Sequence, residues 1–343
     1  MAAVAFGLTT AYAASLRRLT LRDAGTLYAA GTADLARGDI ADAIDALRGA
    51  SRKNRDSVTY ALQYARALAA GGQSDAATRV LLLLRERAPE NAEVNLALAR
   101  LAAGQNDLDN ALRYYRYALY APWPDASGPR RVRRELIVLL LDHGDRSRAL
   151  SELIAAQANS ENTADAHLDL GRLFARAGEA ALALAEFRRA QALAPADAVA
   201  TRLAGEAAFT LGDYTAAARD LATASRDDAA AADMRDTALA VLRGDPLASH
   251  IPAAERLARL ERLMTQAEER ASVCGIPPAD PARTRLTTLA PAVRRSAGRD
   301  TDVLEQSLDA AVGLMQRVAT CPTLTADDRA LLIIGARHQE PGR

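Results

Sequence analysis

Residues 167–195 read HLDLGRLFARAGEAALALAEFRRAQALAP, and this stretch decides the fold. Leu170, Gly171 and Phe174 precede Gly178; Ala183, Phe187 and Ala190 follow it, and Pro195 closes the run. Spacings of three and four on both sides of one glycine predict two amphipathic helices joined by a tight turn. A lone helix pair cannot bury its apolar face, so it needs neighbours of its own kind.

The neighbours are present. Ala43, Ala77, Ala111, Ala149, Ala183 and Ala217 lie 34, 34, 38, 34 and 34 residues apart. Four residues after each comes a large side chain: Leu47, Leu81, Tyr115, Leu153, Phe187 or Leu221. Twelve residues before each comes Gly31, Ala65, Ala99, Ile137, Gly171 or Gly205. Between the halves of each unit sits a turn: RGDI, GGQS, QNDL, HGDR, AGEA or LGDY. A glycine or asparagine there can end the first helix in the left-handed conformation. Alanine richness, scarce aromatics (4%) and the lack of alternating β-branched runs point to an all-α chain.

These columns resemble the tetratricopeptide repeat, a helix–turn–helix family of period 34. The resemblance covers about 24–229, in units near 24–57, 58–91, 92–129, 130–163, 164–197 and 198–229. No unit has the family's early tryptophan, and Ile137 replaces the small residue of the fourth. The resemblance implies a right-handed α-solenoid whose first helices line a concave surface. The matching positions carry Arg66, Arg100, Arg131, Arg134, Arg172, Arg176, Arg202 and Phe209. Guanidinium forks match carboxylates, so one reading is a groove for an acidic peptide or chain terminus. The other is that these arginines pair with Glu93, Asp142, Asp165 and Glu206 and stay solvated.

Beyond Arg226 the lattice fades into a helical region over 230–338, a capping bundle, with a disordered tail over 339–343. One helix should end near Gly244-Asp245-Pro246, and a long amphipathic one should start with Pro252 at its first position. Helices over Pro281–Ser296, Asp300–Thr320 and Ala326–Arg337 follow, the first bent or shortened by Pro291. If the three from Pro252 to Thr320 run up, down, up, Cys274 and Cys321 meet at one end. They then form either a disulfide, given an oxidising compartment, or two buried thiols.

The apolar start, 1–23, leaves three readings open: an anchor, a poor signal segment, or a capping helix. The first two favour a cell-envelope location with membrane contact at the N-terminus; a cytoplasmic one stays open. Catalytic signatures are missing. His143, His167, His250 and His338 lack metal-ligand spacing, and GTLYAAGT (25–32) lacks a phosphate-loop lysine. The expectation is a non-enzyme without cofactor or metal.

One stretch breaks the lattice. The spacing of 38 places four extra residues in APWPDASGP (121–129), whose prolines and Gly128 should delay the next helix. Tyr117, Tyr120 and Trp123 crowd there beside GPRRVRRE (128–135). They are either gap-filling rings or an interface edge, and the break reads as a joint between two three-repeat halves. Two function classes remain. One is a bacterial protein-interaction scaffold of an envelope assembly. The other is a regulatory or single-stranded nucleic-acid-binding repeat protein, against which the zero net charge argues.

Overall fold

The computed structural model describes residues 2–224, 226, 228–321 and 324–339, with side chains from residue 15 onward. Seventeen helices fill the described residues, with no strand among them. The first repeat pairs α1 (Ala2–Arg37) with α2 (Ile40–Lys53); α3 (Val58–Ala70) and α4 (Ser74–Arg87) form the second. Next come α5 (Ala92–Gly104) with α6 (Leu108–Tyr120), and α7 (Ser127–Asp142) with α8 (Arg146–Ala158). The fifth and sixth repeats are α9 (Ala164–Ala177) with α10 (Ala180–Leu193), and α11 (Ala198–Thr210) with α12 (Tyr214–Ala224). The remainder is α13 (Ala229–Gly244), α14 (Ala253–Val273), α15 (Pro281–Ser296), α16 (Thr301–Arg317) and α17 (Ala326–Gln339).

The pairing of small with large residues explains the period. A Cβ added to Gly171 would lie 2.4 Å from the Phe187 ring; one on Gly31 would lie 2.7 Å from Leu47, and one on Gly205 2.8 Å from Leu221. The first helix of these repeats therefore rests its backbone directly on the second helix's largest side chain. Leu47, Leu81, Leu153, Phe187 and Leu221 are fully buried, as are all six alanines of the lattice. Each such side chain contributes about 1.5–3 kcal/mol of burial. The same interlock recurs every 34 residues, so the stack repeats.

Each turn reverses through one left-handed residue: Gly38, Gly72, Asn106, Gly144, Gly178 or Gly212, with φ from 58° at Asn106 to 87° at Gly178. Asp107 and Asp145 then cap the following helices by accepting the N–H of Asn110 and Arg148. Both carboxyls are held below the usual aspartate range. The Asn110 side-chain amide, then its backbone N–H, stabilises ionised Asp107. The Arg148 backbone N–H, helped by its guanidinium, does so for Asp145. The depressed folded values make this stabilisation complete above about pH 4, and it is lost as pH falls through them. We expect the thermal midpoint to drop as pH falls below about 4. Asp107→Asn with Asp145→Asn, which keeps a cap acceptor, should flatten that slope.

The chain divides into two compact units, one ending at Ser160 and the other beginning at Glu161. The division falls one repeat beyond the proline-rich connector, which lies inside the first unit. In the first unit successive first helices touch directly, α1 with α3 and α3 with α5. This marks the side on which the stack is tightest. Residues 2–23 run without a break into the first repeat helix. No helix among the described residues is long and apolar enough to cross a membrane.

In the second unit α11 also touches α13, and α13 packs on α12 and α17. Leu260, Leu263, Leu304, Leu308, Met315, Leu331 and Ile334 build a common core for α14, α16 and α17. Cys274, just after α14, and Cys321, beyond α16, are disulfide-bonded with Cα atoms 5.9 Å apart. Pro291 neither ends nor shortens α15. It lies on the exposed side, where water can take the carbonyl it leaves unpaired. Pro252 takes the cap position of α14, one residue before the first turn. Of the tail expected over 339–343, Gln339 ends α17 and residues 340–343 lie outside the described residues.

Candidate partner-binding surface

In the first unit α3, α5 and α7 present a shared charged face. Glu93 on α5 pairs with Arg66 on α3 and, at 2.8 Å, with Arg131 on α7. Arg100 on α5 makes a two-pronged bond to Glu135 on α7, at 2.8 and 2.6 Å. That bond raises the Arg100 pKa above its usual value. Glu135 also accepts from the Tyr115 hydroxyl at 3.3 Å. Burial first, then the nearby Glu135 charge, pushes Tyr115 well above the usual phenol range. The arginines form a ladder cross-linked by Glu93 and Glu135. Glu135 was missed in the sequence, although it lies four residues after Arg131 on the same helix face. Arg134 is exposed on α7.

Between α3 and α5 the face sinks into a cavity of about 230 Å3. Arg66 and Arg100 stand at its wall over Ala65, Ala69, Leu81 and Leu101. The floor is apolar because Leu81 is the large residue of its repeat. The second unit repeats the design between α9 and α11. A cavity of about 280 Å3 there is lined by Arg172, Ala175, Phe187, Leu203, Glu206 and Ala207. Arg172 replaces Arg66 and Phe187 replaces Leu81, column for column, but Glu206 stands where Arg100 would be. Glu206 pairs with Arg202, which also comes within 4.0 Å of Asp228. The first cavity is therefore doubly cationic and the second mixed. Arg176 is exposed on α9, while Phe209 packs edge-on against Tyr214 at 5.4 Å. Phe209 thus belongs to packing within the sixth repeat.

The aromatic edge separates into inward and outward members. Trp123 turns inward: its indole N–H donates to the Ala118 carbonyl at 2.8 Å and its ring joins the core. A Cβ on Gly128 would lie 2.2 Å from that ring. Gly128 and Pro129 therefore sit in the first turn of α7, and the connector ends before Ser127. The Arg131 guanidinium lies 5.2 Å from the Trp123 ring. Tyr117 is 45% exposed beside Arg85, and Tyr120 is 80% exposed. Trp123 is a packing residue; Tyr117 and Tyr120 are surface. Gly128→Ala should cost about 1–3 kcal/mol by overpacking, read as a lower urea midpoint with altered Trp123 fluorescence.

Two family models, each described as the tetratricopeptide repeat, match this chain, over residues 34–101 and 135–198. The chain carries tetratricopeptide repeats over these two stretches. The first match runs from the end of α1 to α5, and the second from α7 to the start of α11. Among solved structures it is similar to YrrB, described as a TPR protein with an unusual peptide-binding site. That likeness has 19% identity, 55% of this chain and 97% of the other covered, and a TM-score of 0.43. It is also similar to a tetratricopeptide repeat protein from Parabacteroides merdae, at 11% identity, 92% and 99% coverage and a TM-score of 0.44. Pseudomonas aeruginosa PilF matches at 17% identity, 60% and 91% coverage and a TM-score of 0.45. No curated protein matches this chain.

Three of the four histidines lie at helix contacts or at a helix end. His167 is buried, with one ring nitrogen 2.6 Å from Glu186 and the other 3.1 Å from Asn162. Glu186 is also engaged by Arg189. His143 follows α7 as its cap residue, and His338 reaches Asp245 at 3.1 Å. Among the described residues no group of three histidines, cysteines or carboxylates could hold a metal ion.

Proposed function

We propose that this repeat protein is a non-catalytic scaffold that holds an extended acidic segment of a partner protein against α3, α5 and α7. The observation that carries this reading is the doubly cationic cavity of Arg66 and Arg100 over an apolar floor. An acidic residue would meet the guanidinium groups while an apolar neighbour enters the cavity between them. The arginines are already paired, but the pairs are open to water: Arg66 and Glu93 are each 37% exposed, and Arg100 is 46% exposed. Exposed pairs are worth about 0–1 kcal/mol each, so a partner carboxylate can exchange for Glu93 on Arg66 at little cost, while the two-pronged Arg100–Glu135 bond stays and Arg100 adds its positive charge to the rim. Arg131 and Arg134 extend the cationic strip along α7.

The Cys274–Cys321 bond supports placing the protein in an oxidising compartment, the bacterial cell envelope, where it would gather components of an assembly. Selection from a displayed random peptide library tests the binding reading. We expect enriched sequences to combine aspartate or glutamate with a large apolar residue two to four positions away. Enrichment of basic or purely apolar peptides would overturn it.

A further inference from the structure

Away from the repeat faces, α13, α14 and α17 enclose a second kind of cavity, of about 310 Å3. That volume lies at the low end of small-molecule sites, about 300–1,000 Å3. Arg243 from α13, Arg259 and Arg262 with Gln266 from α14, and Asp327 from α17 supply its polar lining. Three guanidinium groups in one recess repel each other unless anions offset them. The structure offers them little. Among the described residues Arg243 bonds only the Leu239 carbonyl within its own helix, at 3.3 Å. Arg262 bonds the Ala258 carbonyl and comes no nearer than 3.6 Å to Glu255.

Arg259 differs. Its Nε donates to Glu255 at 2.8 Å, and one terminal nitrogen donates to the Leu242 and Asp245 carbonyls, each at 3.1 Å. It is only 14% exposed, so these bonds fix the guanidinium plane. Glu255 is held ionised by that bond, while Asp328, outside the lining, is engaged by Gln266 and Arg270. Asp245 is engaged by Arg337 and His338. The carboxylate left to face a ligand from the lining is Asp327, on the opposite helix.

We propose that this cavity binds a hydroxylated phosphate monoester, such as a glycerol or sugar phosphate. Arg243 and Arg262 would clasp the phosphate beside the fixed Arg259, and Asp327 would accept a hydroxyl. The chemistry follows from the lining. A planar fork gives two parallel donors to phosphate oxygens, and the forks of Arg243 and Arg262 beside the fixed charge of Arg259 suit a dianion better than a single carboxylate. Asp327 would repel a bare phosphate and favours a ligand that also carries a hydrogen-bond donor. The site is independent of the peptide face on α3, α5 and α7.

Calorimetry on the full chain at low salt tests the proposal, with glycerol 3-phosphate, glycerol and inorganic phosphate as probes. We expect saturable binding of glycerol 3-phosphate and none of glycerol. Arg243→Ala with Arg262→Ala should weaken it at least tenfold with an unchanged thermal midpoint, since both side chains are exposed. Asp327→Asn should narrow the preference for the ester over inorganic phosphate. A parallel arm uses vesicles of phosphatidylinositol 4-phosphate, whose headgroup is a hydroxylated phosphate monoester, in phosphatidylcholine. Vesicle binding lost in the double variant assigns the phosphate to a lipid headgroup, and loss confined to the free ester assigns it to a soluble ligand. Absence of binding to every phosphate probe, or equal binding by the double variant, overturns the site.

Discussion

Phe187→Ala should lower stability by about 3–5 kcal/mol, with a matching fall in the urea midpoint followed by far-ultraviolet circular dichroism. Phe187 is 1% exposed, and its ring fills the space that Gly171 leaves open. Truncation opens a cavity that cannot collapse easily, because α9 and α10 are fixed by the Gly178 turn and by α11 beyond. The converse change should also destabilise: in Gly171→Leu the new side chain meets the ring head-on. Combining the two restores volume across the same contact. The double variant should therefore be more stable than the sum of the single losses allows. Additive losses would mean that the two positions do not interlock.

Removing the Cys274–Cys321 bond, by reduction or by serine at both positions, should cost about 2–4 kcal/mol. The bond closes a loop with a sequence separation of 47 and ties the ends of α14 and α16 across α15. Opening that loop frees the unfolded chain most, and the native core of Leu260, Leu308 and Met315 remains packed. The measurement is urea unfolding with and without reductant, paired with mass spectrometry after alkylation. Alkylation only after reduction, with a lowered midpoint in reductant, is the expected pair of results. Full labelling of both thiols without reductant would contradict it.

Much of the fold was legible because its constraints are local and recur. A left-handed residue at each turn demands glycine or asparagine, and the sequence supplies one at Gly38, Gly72, Asn106, Gly144, Gly178 and Gly212. Close helix approach demands a small residue facing a large one, and Gly171 with Phe187 satisfies it visibly. The surfaces were less legible. Periodicity places Arg66, Arg100 and Arg131 on one face, but it does not choose among the acids within reach of a long side chain. Asp142 and Glu135 both lie on α7, and Glu135 is the one that meets Arg100. Composition also placed Trp123 with Tyr117 and Tyr120. The inward turn of Trp123 depends on Gly128 lying under its ring, a contact between connector and helix that no spacing rule encodes. The unit boundary at Ser160 likewise leaves no mark as clear as the prolines of 121–129.

The central claim is that the arginines of α3 and α5 bind an acidic segment. Fluorescence anisotropy tests it most directly, using a labelled ten-residue peptide of alternating glutamate and leucine and the same peptide with glutamine for glutamate. The account predicts saturable binding of the glutamate peptide that weakens as salt rises. It also predicts at least tenfold weaker binding to Arg66→Glu with Arg100→Glu, and little binding of the glutamine peptide to either protein. Equal affinity of parent and variant for the glutamate peptide would contradict it.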